Sequence, residues 1–182
     1  LEEALRVLEE YSKTIDPGAA RHLSAMRFEC YTIEKYVGAI HELPLHEVRL
    51  YLVATPGTTA GRPFLTSVEK ALRTGVRMIQ LRPENADDRT FLTLARKFRT
   101  LCDEHRALFI VNDRPDIAAL SGADGVHLGQ TDLPVKAARA ILGPGKIVGR
   151  STHSLKQTLR AAAEGADYIG FGPICKTLTK PG

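Results

Sequence analysis

The polar residues that could do chemistry gather at or just after the ends of apolar runs along the 182-residue chain. Gln80 and Arg82 follow one run, Asn112 and Asp113 the next. His127 and Asp132 flank the end of a third, and Ser151 closes a fourth. Thr177, Thr179 and Lys180 sit near the last residue. Asp113 and Asp132 are hard oxygen donors of the kind Mg²⁺ takes when it bridges a phosphorylated substrate. Aspartates after strands also serve as helix caps and turn formers, so the pair alone leaves both readings open. Arg82 and Lys180 suit phosphate oxygens, Arg82 with a bidentate fork. Thr177 and Thr179 offer hydroxyls and backbone amides to an anion. His127 either lines the same site or is a packed strand histidine. Ser151 and His153 suggest a nucleophile and its base, but no aspartate stands near to orient them and the G-x-S-x-G elbow is absent. Gly143-Pro144-Gly145-Lys146 has the look of a phosphate loop, yet Ile147 stands where Ser or Thr is needed, so it reads as a turn. The chemistry these residues support is binding of a Mg²⁺-chelated phosphate or pyrophosphate ester.

The elements that must position these residues alternate in type from residue 49 onward. Apolar runs at 50–54, 76–81, 108–111, 125–128, 147–148 and 168–171 read as strands. Helical patterns fall near 63–74, 87–105, 115–121, 134–142 and 154–164. Gly75, Gly122 and Gly165 each stand between a helix and the next strand, the place where a positive φ is often needed. GADGVHL and GADYIGF are near copies, the mark of one repeated unit. Strands joined by helices imply a parallel sheet with right-handed crossovers. An open sheet gathers its ligand groups at one switch point, whereas a (β/α)8 barrel spreads them over the ends of many strands. Five successive strands ending in ligand-type residues favour the barrel. The fold class expected is α/β, an incomplete TIM barrel holding strands 1–6.

Residues 1–40 read differently. Leu1, Ala4, Leu5, Leu8 and Tyr11 follow one helix face, and Leu23, Met26, Cys30, Ile33 and Val37 follow another. Asp16-Pro17 between them offers an N-cap with proline at the first helical position. Residues 1–40 are thus a helical hairpin domain, 41–48 a linker interrupted by Pro44, and 49–182 the barrel domain. His41, Glu42, His46 and Glu47 fit no metal-ligand spacing. Leu1 opens the chain in mid-helix and Lys180-Pro181-Gly182 closes it in a polar loop. The reading is of a piece of a longer protein, two strands short of a closed barrel.

Composition excludes several classes. With 43% hydrophobic and 25% charged residues, the chain is neither disordered nor membrane-spanning. Three cysteines with no CxxC pair suit reduced thiols and a cytoplasmic setting. No tryptophan and 6% aromatics argue against a stacking surface for nucleic acid. A net charge of +4 fits small anionic substrates. Oligomeric state is not legible.

The series YLVAT, QLR, IVNDRPDIA, GADGVHLGQTDLP, GRSTHS, GADYIGFGPI and TLTK, over residues 49–182, closely resembles thiamine phosphate synthase. That resemblance implies a transferase of thiamine biosynthesis, which joins hydroxymethylpyrimidine pyrophosphate to thiazole phosphate and releases pyrophosphate. It implies that Gln80, Arg82, Asn112 and Ser151 hold the pyrimidine pyrophosphate, with His127 near the pyrimidine. Asp113 and Asp132 would hold Mg²⁺, Thr177 and Thr179 the thiazole phosphate, and Lys180 the pyrophosphate. Arg82, Ser151 and Lys180 are the expected catalytic groups. Three features depart from the family pattern. Glu84 stands where a lysine is usual, Cys175-Lys176 replaces an aromatic-proline pair, and the glycine-rich loop after strand seven falls beyond residue 182. A thiazole tautomerase shares the barrel, and a non-catalytic ligand-binding protein is a further alternative. The two aspartates with Arg82 and the TLTK run favour the synthase.

Overall fold

Asp16 ends one helix and starts the next, its Oδ1 accepting the backbone N–H groups of Gly18 and Ala19 at 2.7 and 3.3 Å. The helices are α1 (Glu2–Ile15) and α2 (Pro17–Ala39). They lie in the first of two compact units, Leu1–Glu42 and Leu43–Gly182. The computed structural model describes residues 2–39, 45–58 and 61–173. The hairpin departs from the expected seam. Leu5 and Ala20 are buried, but Leu8, Tyr11 and Met26 are exposed. An ion pair explains the rotation: Glu9 is buried and its Oε2 accepts from Arg27 Nε at 2.9 Å. Burying that carboxylate requires its partner beside it, so the line of contact runs through Leu5 and Glu9, not Leu8 and Tyr11. The side chains of Cys30, Ile33 and Val37 lie outside the described residues.

The second unit alternates β1 (Tyr51–Ala54), α3 (Phe64–Arg73), β2 (Met78–Leu81), α4 (Asp88–Glu104), β3 (Leu108–Asn112) and α5 (Pro115–Ser121). It continues with β4 (Gly125–Leu128), α6 (Val135–Leu142), β5 (Ile147–Thr152), α7 (Leu155–Ala163) and β6 (Tyr168–Phe171). All neighbours are parallel, and the strand order is the sequence order. A doubly wound sheet would reverse its order at a switch point. One without reversal, with right-handed crossovers, carries every helix on the same face and curls around the other. The curl is visible in the first and last strands, where the hydroxyls of Tyr51 and Tyr168 meet at 2.8 Å. This is the six-strand arc of a barrel.

Alternation along the strands divides the core in two. Ile79, Leu81, Phe109, Val111, Val126, Leu128 and Val148 face the helices, which cover them with Leu72, Phe98, Val135 and Ala138. Met78, Leu108 and Ile110 face the barrel interior with Tyr51, Ile147 and Tyr168. Leu45 and Val48, within the segment read from sequence as a linker, pack against this inner cluster. Residues 45–48 therefore belong to the barrel unit. The apolar plug fills the N-terminal half of the interior. Further along the strands the same inner face carries Gln80, Asn112 and Ser151, at even spacings from these residues, and His127.

The repeated GAD segments have matching wiring. Asp124, ahead of β4, accepts from the Phe109 amide at 2.6 Å and Arg99 Nη1 at 2.7 Å. Asp167, ahead of β6, accepts from the Val148 amide and Arg139 Nη2, both at 2.7 Å. In each case an aspartate ties the entry of one strand to the preceding strand and to an arginine of an outer helix. Gly122 and Gly165, at φ +74° and +84°, make the turn out of the helix possible. The repeat is thus structural, at the end of the barrel away from the polar groups.

Candidate active site

At the C-terminal ends of the strands the inner face opens into a cavity of about 530 Å³. Register puts its polar groups at one level: Asn112 lies opposite His127, and Ser151 opposite Gly170. Of the residues singled out in the sequence, Gln80, Arg82, Asn112, Asp113, His127, Asp132 and Ser151 all line this cavity. Thr177, Thr179 and Lys180 lie outside the described residues, as do Cys175 and Lys176.

Asp113 leaves β3 at φ +61°, a left-handed conformation that costs a residue with a side chain but is tolerated best by Asp and Asn. Its amide donates to the His127 carbonyl at 2.8 Å. The next residue clamps the turn: Arg114 binds Asp116 through Nε and Nη2 at 2.9 and 2.6 Å, and Asp88 through Nη1 at 2.6 Å. Asp132 sits in the loop after β4, its Oδ2 accepting from the Gly129 amide at 2.5 Å. A Cβ at Gly129 would lie 2.9 Å from that oxygen, so glycine there leaves room for the Asp132 carboxylate.

Arg150 holds this loop from behind. It adjoins Ser151 at the end of β5, but its side chain faces the helix layer, not the cavity. It is 9% exposed and donates to the Leu133 carbonyl at 2.8 Å. Nη2 lies 3.4 Å from the Gln130 carbonyl, and Gln130 Nε2 returns a bond to the Ser151 carbonyl. A buried guanidinium needs acceptors, and here two loop carbonyls supply them, which fixes the backbone that carries Asp132.

The two aspartates come within hydrogen-bonding reach of each other. Desolvation by the surrounding protein, then the bond to Asp132 and its charge, push the Asp113 carboxyl up to about 6, with Arg82 pulling the other way. Two carboxylates held this close repel and favour sharing a proton. A divalent cation between them would relieve the same repulsion, and their oxygens are the hard donors Mg²⁺ prefers. Among the described residues no group of three or more His, Cys, Asp or Glu side chains gathers around a common point. A cation here would therefore take its remaining ligands from water or from a bound phosphate.

The sign of the stability effect follows. Folding raises the Asp113 pKa above the ordinary value of 3.8, so the folded state holds its proton more tightly than the unfolded chain. Stability from this group is greatest at low pH and falls as pH rises from about 4 through about 6. Two pH units convert to about 3 kcal/mol, and solvent reaching an open carboxylate cuts this to about 1 kcal/mol. Asp132→Asn removes only the part of this shift that burial does not cause, so in the presence of a chelator it is expected to stabilise the folded protein by up to about 1 kcal/mol at pH 7.5 and by nothing at pH 4. Denaturant unfolding at both pH values checks this; equal or lower stability at pH 7.5 contradicts the repulsion.

Two tyrosines complete the interior, and the sequence reading missed both. Gln80 Nε2 donates to the Tyr51 hydroxyl at 2.7 Å. The Tyr168 hydroxyl joins Tyr51 at 2.8 Å and His127 Nδ1 at 3.0 Å. His127 Nε2 meets Ser151 Oγ at 2.9 Å. Both tyrosines start strands and face inward, and the alternation with Val53 and Gly170 is the signal that would have placed them. His153, considered in the sequence as a partner of Ser151, bonds the Gly172 carbonyl instead. The histidine that reaches Ser151 is His127.

Comparison with known proteins decides what this barrel is. Residues 50–182 match the family described as thiamine monophosphate synthase. The chain belongs to the thiamine monophosphate synthase family. A thiamine-phosphate synthase from a Nostoc species is 46% identical over 183 residues, covering 100% of this chain and 51% of that protein. One from a Synechocystis species is 45% identical, covering 100% of this chain and 52% of that protein. The chain thus spans about half the length of the curated relatives it matches. Among solved structures, a thiamine phosphate pyrophosphorylase from Pyrococcus furiosus superposes with a TM-score of 0.65 at 39% identity, covering 71% of this chain and 62% of that one. Residues 1–36 match a different model, that of the ThiD2 family. The thiamine monophosphate synthase match begins at β1 and takes in every residue lining the cavity. No helix among the described residues is long and apolar enough to cross a membrane.

Proposed function

We propose that the barrel unit, within its full-length protein, is a thiamine phosphate synthase acting on small phosphorylated substrates: it couples a hydroxymethylpyrimidine pyrophosphate to a thiazole phosphate. One observation carries the reading beyond family membership. A pair of carboxylates and an arginine share one polar cavity at the ends of the strands. In the reaction, the bond between the pyrimidine methylene carbon and the pyrophosphate oxygen breaks, and its electron pair leaves with pyrophosphate. The thiazole nitrogen then gives its lone pair to the methylene carbon, forming the C–N bond of a thiazolium. No proton need be removed from either substrate.

Residue roles follow from where charge develops. The leaving pyrophosphate gains negative charge, and preorganised positive groups lower the barrier by favouring that state over the ground state. Arg82, at the end of β2, would do this. Asp113 and Asp132 are the residues that would hold Mg²⁺, which supplies charge neutralisation of the pyrophosphate when bound. Asn112 and Ser151 offer neutral polar contacts, and Gln80 and His127 line the deeper wall where the pyrimidine would lie. Thr177, Thr179 and Lys180 are assigned the thiazole phosphate and the far side of the pyrophosphate from their sequence run alone.

Glu84 opposes this scheme. Its carboxylate lies 3.7 Å from Arg82 Nη1 and is largely exposed. It adds negative charge beside the arginine. Glu84→Lys is expected to tighten inorganic pyrophosphate binding about tenfold, an exposed charge reversal being worth on the order of 1–2 kcal/mol. Calorimetry at two salt concentrations checks it, and unchanged affinity at both would place Glu84 outside the field of the site.

The same titration tests the reading itself. Inorganic pyrophosphate added to the full-length protein should bind saturably with Mg²⁺ present and much more weakly with chelator. Heats of dilution alone in both conditions would overturn the assignment.

A further inference from the structure

The five polar groups from Gln80 to Ser151 form an unbroken row across the barrel interior, and its ends differ. Gln80 presents Nε2, which can only donate, to Tyr51. A hydroxyl has one proton, so Tyr51, accepting from Gln80, gives its proton onward to Tyr168 at 2.8 Å. Tyr168 gives its own to His127 Nδ1 at 3.0 Å. A neutral imidazole that accepts at Nδ1 carries its hydrogen on Nε2, and Nε2 faces Ser151 Oγ at 2.9 Å. Ser151 then accepts, and among the described residues its hydroxyl proton has only the cavity to turn to.

The row is built, not incidental. The Tyr168 ring sits edge-on to Tyr51 with centroids 5.7 Å apart and lies 5.4 Å from the His127 ring. It occupies the place of an absent side chain: a Cβ at Gly149 would fall 2.1 Å from Tyr168 Cζ. Burial holds both tyrosine hydroxyls well above their ordinary pKa, so both keep the proton they must donate.

We propose that Gln80, Tyr51, Tyr168, His127 and Ser151 form a one-way hydrogen-bond row that locks His127 as the Nε2–H tautomer and aims the Ser151 hydroxyl proton into the cavity, making Tyr168 a positioning residue. The opposite order, with Nδ1–H on His127, would have Ser151 donate to Nε2. That is the arrangement of a nucleophile and its base. The proposed order makes Ser151 a hydrogen-bond donor to an anion, and removes it as a nucleophile. The identity of that anion rests on the pyrophosphate reading above; the order of the row does not.

Two-bond ¹H–¹⁵N spectra of the full-length protein labelled on histidine, at pH 8, read the tautomer directly, with His127→Gln identifying the signal. The expected spectrum is Nε2–H for His127. Tyr168→Phe removes the donor to Nδ1 and should give a mixture of tautomers, with inorganic pyrophosphate binding weakened about fivefold, the value of one hydrogen bond. Gln80→Glu carries the test even if the tyrosine variant folds poorly. A carboxylate only accepts, so the row should reverse and His127 should show Nδ1–H. A wild-type Nδ1–H signal, or a tautomer unmoved by both substitutions, overturns the proposal. Nε2–H in a protein that fails to bind pyrophosphate supports the row and overturns the pyrophosphate reading alone.

Discussion

Asp113→Asn in the full-length protein is expected to lower turnover by about 10²-fold or more, with the fold intact. The substitution keeps the shape and one oxygen of the carboxylate but removes its charge. Asp113 holds a strained φ of +61° with its carboxyl against Asp132, and a strain of this kind at a cavity persists where placement matters. Removing one member of a carboxylate pair also weakens whatever cation the pair shares. The losses from Asp113→Asn and Asp132→Asn should therefore overlap, with the double variant little worse than either single one, as for groups acting as a unit. Steady-state rates at limiting Mg²⁺ check both statements. Rates within a few-fold of wild type would remove the aspartates from the mechanism.

Arg82→Gln is expected to cost about 10²-fold in kcat/KM, because it deletes the one described cation that lines the cavity. Its side chain is about one-third exposed and its backbone amide is tied to the Ala54 carbonyl at 2.9 Å. The loss is thus of charge at a fixed place, not of strand structure. Arg82→Lys should recover only part of the activity, since an ammonium keeps the charge but not the planar fork. Full recovery with lysine would mean that the fork geometry is unused; a near-normal glutamine variant would contradict the role of Arg82 in stabilising the leaving group.

The strands and helices of the barrel unit were legible because each carries a local signal. The buried strands are short apolar runs, two of the helices start at the capping side chains of Asp87 and Ser154, and glycines follow the ends of most of them. That the carboxylates and Arg82 share one cavity was legible from their places just after successive strands. What stayed hidden depended on partners distant in sequence. Tyr51 and Tyr168 look like ordinary strand tyrosines until the arc brings β1 and β6 face to face, 117 positions apart along the chain. Arg150 is the neighbour of Ser151, but alternation turns it to the helix side, where two loop carbonyls hold it. Leu8 and Tyr11 fit a helix face, yet Glu9 with Arg27 fixes the contact of the hairpin, and an ion pair between helices leaves no periodic trace. The repeated GAD segments caught the eye as a motif and proved to be two copies of one strand-entry tie.

The most direct test of the central claim is product formation. The full-length protein, supplied with hydroxymethylpyrimidine pyrophosphate, thiazole phosphate and Mg²⁺, should release one pyrophosphate for each thiamine phosphate formed, and neither without the thiazole. Pyrophosphate released without thiamine phosphate, or no release at all from a folded protein with both substrates present, would contradict the account.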